Sequence, residues 1–257
     1  MKKKLIIPSL LLACSLTACN DGLVTSGVAY EEGVTAKVDE SLKKEKKGSY
    51  TVLTIKSEAT TILSTTVDGK TSTAKGTAKG TIIVDLNEKS VDLTVDSVSK
   101  SGKNTVEIDG SIKAKKTNGS FQIVRKDGIV GDLYASADFN SYLTTAVDNT
   151  YSWNFTLSDS EIRSAIANVS TTDSASLTNA MTKMRNSLMI DGDPSKGTFA
   201  VGISKEIEFS SKGTKCEISK MKYTYKDCLL DSSIMQVVAT ASNVKCELTA
   251  KYSYSYK

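Results

Sequence analysis

Between residues 50 and 155, apolar and polar side chains alternate with a period of two, the spacing at which successive residues of a β-strand face opposite sides of a sheet. Val91, Leu93 and Val95 alternate with Asp92, Thr94 and Asp96, and Val106, Ile108 and Ile112 are set among Glu107 and Asp109. A polar partner at each step predicts antiparallel strands with one face in the core and one in water. Asp68-Gly69, Asp109-Gly110, Asn118-Gly119 and Asp127-Gly128 punctuate the run. They read as hairpin turns, because glycine reaches the positive φ that two-residue turns need. The tandem Thr73-Ala74-Lys75-Gly76 and Thr77-Ala78-Lys79-Gly80 has no large apolar side chain. Residues 71–80 are therefore expected to form a flexible hairpin tip or an edge strand.

The period changes twice. In residues 31–47, Val34, Val38 and Leu42 recur every four positions ahead of Gly48, which predicts a short amphipathic helix. In residues 158–190, Ser158-Asp159-Ser160-Glu161 forms a capping box, and Ile162, Ala165, Ile166 and Val169 then fall on one helical face. After a polar break at residues 170–173, Leu177, Ala180, Met181, Met184 and Leu188 draw a second stripe that ends at Asp191-Gly192-Asp193-Pro194. Two helices of about three and four turns are expected, each laying its stripe on the sheet. Strand periodicity resumes at residue 198. Met221, Tyr223 and Tyr225 share one face, and so do Cys246, Leu248, Ala250, Tyr252, Tyr254 and Tyr256. The expected fold is mainly β (α+β): a curved antiparallel sheet or half-barrel covered by two helices, plus the short N-terminal helix. Residues 31–257 read as a single β-rich domain with a helical insertion at 158–190.

The N-terminal segment has a different character. Lys2, Lys3 and Lys4 precede an apolar run at residues 5–12, and Leu16-Thr17-Ala18-Cys19 follows. A basic start, a short apolar core and small residues before a cut site mark an export signal, and the core is too short to span ~30 Å of hydrocarbon. The quartet resembles the lipobox of bacterial lipoproteins. That resemblance implies a signal peptide at residues 1–18, diacylglyceryl on the Cys19 thiol, acyl chains of the palmitate type, and a lipidated tether at residues 19–30. Leu11-Leu12-Ala13-Cys14 is a second candidate that would cut inside the apolar core, and an ordinary secretory signal ending in a cysteine is the alternative. Two acyl chains anchor stably, since each buried methylene contributes ~0.8 kcal/mol and one myristoyl chain binds only marginally. Asn20 stands where enteric lipoproteins retained at the inner membrane carry Asp. The protein is thus expected on the outer surface of the cell membrane, or at the outer membrane where the host has one.

Charge and composition narrow the chemistry. Residues 1–18 carry three of the 33 Lys and Arg and none of the 29 acids, so the remaining 30 bases leave a formal charge of +1. Nucleic-acid binding, which needs a concentrated basic face, is not expected. The run Lys43-Lys44-Glu45-Lys46-Lys47 reads as a solvated helix end. Histidine is absent, which removes Ser-His-Asp and Cys-His catalysis and His-ligated zinc. Cys216, Cys228 and Cys246 are an odd set without a close CxxC pair, and are expected as buried thiols or one disulfide between neighbouring strands. Gly69-Lys70-Thr71 lacks the upstream P-loop glycine, which is Ser64, and Asp191 with Asp193 opens a calcium loop that fails at Lys196 and Gly202. No enzyme activity, metal or cofactor is expected.

The order of lipobox, tether, helix ending before Ser49-Tyr50, long meander, helical insertion and terminal strands is similar to the lipoprotein-carrier folds of the LolA, LolB and LppX type. Arg125-Lys126-Asp127-Gly128-Ile129-Val130-Gly131-Asp132-Leu133-Tyr134 is similar to hairpins of their Gram-positive relatives. The resemblance implies an unclosed half-barrel plugged by helices, with acyl chains in the gap. The expected function is non-covalent binding of a hydrophobic or lipid-like ligand, lined by Trp153 and Phe155 from a strand and Ile162, Ile166, Met181 and Met184 from the helices. The alternative is a structural or adhesive surface domain with a filled core. Replacing Cys19 by Ser is expected to abolish fatty-acid labelling and release the protein from the membrane. Metabolic labelling and fractionation check this, and labelling lost only with Cys14→Ser would reassign the anchor.

Overall fold

The computed structural model describes residues 49–140, 186–211 and 213–257, together with residues 34–35, 41, 45, 143, 154–155 and 183. A short strand, β1 (Val34–Thr35), precedes a five-strand meander: β2 (Val52–Val67), β3 (Lys70–Asp85), β4 (Ser90–Ser101), β5 (Asn104–Thr117) and β6 (Ser120–Asp127). A six-residue helix, α1 (Gly128–Leu133), follows, and then β7 (Asn154–Phe155), which pairs with β1. The remainder is β8 (Leu188–Asp193), a 3-10 turn (Pro194–Lys196), β9 (Thr198–Ile203), β10 (Ile207–Ser211), β11 (Thr214–Lys226), β12 (Leu229–Ala241) and β13 (Val244–Tyr256).

One antiparallel, unclosed sheet holds β2 to β6 and β8 to β13, in the order β6-β5-β4-β3-β2-β13-β12-β11-β9-β8. β9 and β10 lie end to end against successive halves of β11. The two meanders meet where the first long strand pairs with the last, from Leu53 opposite Tyr256 to Thr65 opposite Val244. Thr51 and Val52 N–H both donate to the Lys257 carbonyl, Lys257 N–H donates to Val52, and the Tyr50 ring meets Tyr256 edge-on at 4.8 Å. Both sheet edges, β6 and β8, therefore border the middle of the chain.

Alternation sorts side chains as the sequence implies. Across β13, β2, β3, β4 and β5 the core rows run Tyr256, Leu53, Val84, Val91, Ala114 and Tyr254, Ile55, Ile82, Leu93, Ile112. Val130, Tyr134 and Phe139 pack onto this cluster from α1 and the residues after it, and Phe121 contacts Phe139 at 5.7 Å between ring centres. On the β8 to β12 side, Ile207, Cys216, Ile218, Met221 and Val237 form one cluster and Phe199, Val201, Tyr225 and Cys228 another. Phe199 stacks on Tyr225 at 4.7 Å. The opposite face carries Lys, Thr and acids, including Arg125, which holds Asp92 through both carboxylate oxygens at 2.8 and 3.0 Å.

Several expectations are corrected. Residues 71–80 are neither tip nor edge but the body of β3, paired on one side with β2 and on the other with β4. The tandem repeat is itself a strand alternation in small residues, with Ala74, Gly76, Ala78 and Gly80 on the core face and Thr and Lys on the other. Asp109-Gly110 lies within β5 rather than at a turn, and Asp127-Gly128 leads into α1, so the segment from Arg125 to Tyr134 is a strand end and a helix instead of a hairpin. Leu188 belongs to β8, opposite Ile203, and strands resume there, not at residue 198. Val34 is a strand residue paired with Phe155, although Ser41 and Glu45 are helical. The sheet is mainly β as expected, but the cover among the described residues is the single short α1, not two helices. Lys183 is helical, while the rest of the predicted helices, from 158 to 185, lies outside the described residues.

Asp68-Gly69 and Asn118-Gly119 are two-residue turns with positive φ at both positions (50° and 73°, 53° and 84°), as expected. Gly110 serves a different purpose. At φ 136° it faces Gly128 (φ 62°) across an isolated bridge where β6 turns into α1. A β-carbon on Gly110 would collide with the Asp127 carbonyl oxygen, and one on Gly128 would sit 2.5 Å from that of Asp109. Gly110→Ala is expected to cost about 2–4 kcal/mol, from overpacking plus backbone strain. Gly69→Ala, with open space around it, is expected to cost only about 1–2 kcal/mol for the positive φ. Urea unfolding of the two variants checks the difference.

Candidate functional site

The core face is not uniform along the strands. Beyond the rows of Leu53 and Ile55 the side chains shrink, through Ala59, Ala78 and Ser97 to Thr61, Gly76 and Ser99 on β2, β3 and β4. Gly76 lies directly between Thr61 and Ser99. At ~4.8 Å per strand, the two hydroxyl residues stand ~10 Å apart over a position without a side chain. Burial then fades toward the strand ends, where Ser101 is exposed and Val67 and Val106 present apolar side chains to solvent. The result is a shelf of small residues in an apolar face, opening on an apolar rim.

Thr61 is 2% exposed and Ser99 4%, and neither Oγ has a hydrogen-bond partner. A buried polar atom left unpaired costs about 1–3 kcal/mol, which is why nearly all such groups in folded proteins are satisfied. No charge lies near them on this face among the described residues. Lys56, Glu58, Lys75, Lys79 and Lys100 all alternate onto the other side of the sheet. The shelf offers neutral donors and acceptors in an apolar setting, with nothing to activate a nucleophile.

Two other groupings carry chemistry. Glu206, Glu208 and Glu217 place carboxylate oxygens within 4.8 Å of one another at the β10–β11 pair. Partial burial first, and the Glu217 and Glu208 charges next, hold the Glu206 carboxyl above the usual carboxylate range. Lys215 bonds Glu208 at 2.5 Å, and that bond raises its ammonium above the ordinary lysine value. This exposed cluster has the donor set of a weak divalent-cation site, with one charge already neutralised by Lys215. The thiols are arranged differently. Cys216 and Cys246 share a cross-strand row with Ala239 between them, ~10 Å apart, beyond the reach of a disulfide. None of the three described cysteines forms a disulfide. Burial pushes the Cys216 and Cys246 thiols up, away from the reactive thiolate. Asp193 caps the 3-10 turn by accepting from Ser195, whose hydroxyl holds that carboxyl below its usual range.

Of the ligand-lining residues expected from sequence, Trp153, Ile162, Ile166, Met181 and Met184 lie outside the described residues, as does Cys19. Phe155 is in β7, which pairs with β1 in a separate two-stranded ribbon and not in the main sheet. Thr61, Gly76 and Ser99 were missed by sequence reasoning. The available signal was the alternation of Ala and Gly with Thr and Lys in residues 73–80, which places small residues on the buried face.

No family model matches the chain, and no curated protein matches it in sequence. Among solved structures, the translocator domain of the autotransporter NalP from Neisseria meningitidis is similar over 97% of this chain and 95% of its own, at 8% identity and a TM-score of 0.28. A DUF1329 family protein from Desulfovibrio piger is similar over 84% of this chain and 91% of its own, at 10% identity and a TM-score of 0.13. At such TM-scores neither likeness carries an argument about fold or function.

Proposed function

We propose that this protein is a membrane-anchored surface lipoprotein that binds a hydrophobic or lipid-like ligand non-covalently on the core face of its sheet. The observation that carries the reading is the shelf of small residues, Ala59, Ala78, Gly76 and Ser97, set within that apolar face beside the rows of Leu53 and Ile55. The apolar face runs from Ile112 on β5 to Ile190 on β8, and α1 packs against β5 and β6. Leu248, Met235, Tyr223 and Cys246, near the middle, are only partly buried. Ligand sites in proteins are concave, largely apolar and mostly formed in advance, with a few placed polar groups. The small-residue shelf with its apolar rim supplies the apolar lining and the few polar groups of such a site, and the half-barrel resemblance points the same way.

The anchor at Cys19 belongs to this reading. It places the binding face at a membrane surface, where an apolar ligand is available and water is not a useful carrier. The membrane, through the anchor, and the ligand are the proposed partners, and the chemistry requires no cofactor and no covalent step. A second reading, a structural or adhesive surface domain, is favoured by the full burial of Val91, Ile112 and Ala114, where the face is filled by the protein's own side chains.

The full chain purified in mild detergent is expected to retain a bacterial lipid visible by native mass spectrometry. It should also bind a fluorescent fatty-acyl probe saturably, with Met184→Trp, intended to fill the space, binding more weakly. Absence of retained lipid, together with probe binding no tighter than to a non-binding control protein, would replace this reading with the structural one.

A further inference from the structure

We infer that Thr61 and Ser99, facing each other across Gly76, hold the polar group of the ligand, and that this group is neutral, of the ester or alcohol class. The inference rests on the proposed lipid-binding reading and narrows it to a site and a ligand class. Two hydroxyls that are nearly fully buried and lack hydrogen-bond partners stand on either side of a residue without a side chain. Small residues alone would be explained by close packing. Unpaired hydroxyls would not, because a face merely filled by apolar side chains is served as well by Val at 61 and Ala at 99. An oxygen-bearing group lying over Gly76 comes within reach of both side chains. It can accept from either hydroxyl or donate to it, since each hydroxyl does both.

The charge of that group follows from its surroundings. A phosphate or carboxylate buried here would lose its hydration with no opposing cation among the described residues of this face, a cost far above that of a neutral ester. Among the described residues, Lys75 and Lys100, which flank Gly76 and Ser99 along their strands, lie on the far face. The rows above the shelf, ending at Ile55 and Ile82, then provide an apolar run for a hydrocarbon chain. The exposed Val67 and Val106 mark the end at which the ligand enters.

The test uses the full chain in mild detergent, with monoolein as the neutral probe and oleate at alkaline pH as the charged one, each displacing a fluorescent acyl probe. Thr61→Val with Ser99→Ala is expected to weaken monoolein binding about tenfold, as loss of two neutral hydrogen bonds does. The same double variant should leave the melting temperature of lipid-free protein equal or higher, because two unpaired hydroxyls are removed. Thr61→Ser, which keeps the hydroxyl, should retain parental affinity. Unchanged monoolein binding in the double variant overturns the inference and leaves lipid binding itself standing. Oleate binding as tightly as monoolein overturns the neutral-group assignment. If the parent binds neither probe, the lipid-binding reading falls first and the inference with it.

Discussion

The pairing of β2 with β13 is the interaction on which the rest of the sheet depends. Without it the two meanders are separate sheets, each with an unprotected edge and half a core face. The contact is very non-local: the Thr51 hydroxyl donates to the Lys257 carbonyl across 206 residues. Closing a loop of that length costs about 5 kcal/mol in chain entropy. Burial of a large aliphatic side chain contributes about 1.5–3 kcal/mol, so Leu53 and Ile55 on β2, with Ala250 and Tyr252 on β13, suffice to offset the closure. Assembly of each meander by local hairpins before this pairing is the economical order, since contacts between sequence neighbours close short loops.

The same pairing decides where the sheet is open. Because the first and last long strands sit at its centre, the edges fall on β6 and β8, which flank residues 128–187 of the chain. The edges are managed unequally. β6 passes straight into α1, which folds back on β5 through the close approach of Gly110 and Gly128. Arg125 is clamped to Asp92 one strand further in, past β5. Such exposed ion pairs contribute at most about 1 kcal/mol, so they tune register and solubility while the apolar rows carry stability.

A sheet with one apolar and one charged face needs a cover, and the grading of side-chain size along β2, β3 and β4 shapes what fits beneath it. Large residues fill the end near Leu53, and small ones with idle hydroxyls occupy the level of Gly76. This gradient, and not any reactive group, distinguishes the site. Burial pushes the Cys216 and Cys246 thiols up, and Glu208 and Glu217 alternate onto the opposite face.

Local pattern was enough to determine the strands with bulky alternation, such as Val91, Leu93 and Val95, the turns at Asp68-Gly69 and Asn118-Gly119, and the shared face of Tyr252, Tyr254 and Tyr256. These depend on residues within a few positions of one another. Gly110 has the same neighbours as a turn glycine, yet it sits inside β5 because Gly128 approaches it from another element. Residues 73–80 looked like a tip because small side chains give a weak hydrophobic signal, and only pairing with β2 and β4 makes them a central strand. Leu188 fits a helical stripe and an edge strand equally well, and its partner Ile203 decides between them. The junction of β2 with β13 and the meeting of Thr61 with Ser99 over Gly76 were likewise decided by tertiary structure, because strand order and cross-strand register are set by contacts between distant residues that no local periodicity records.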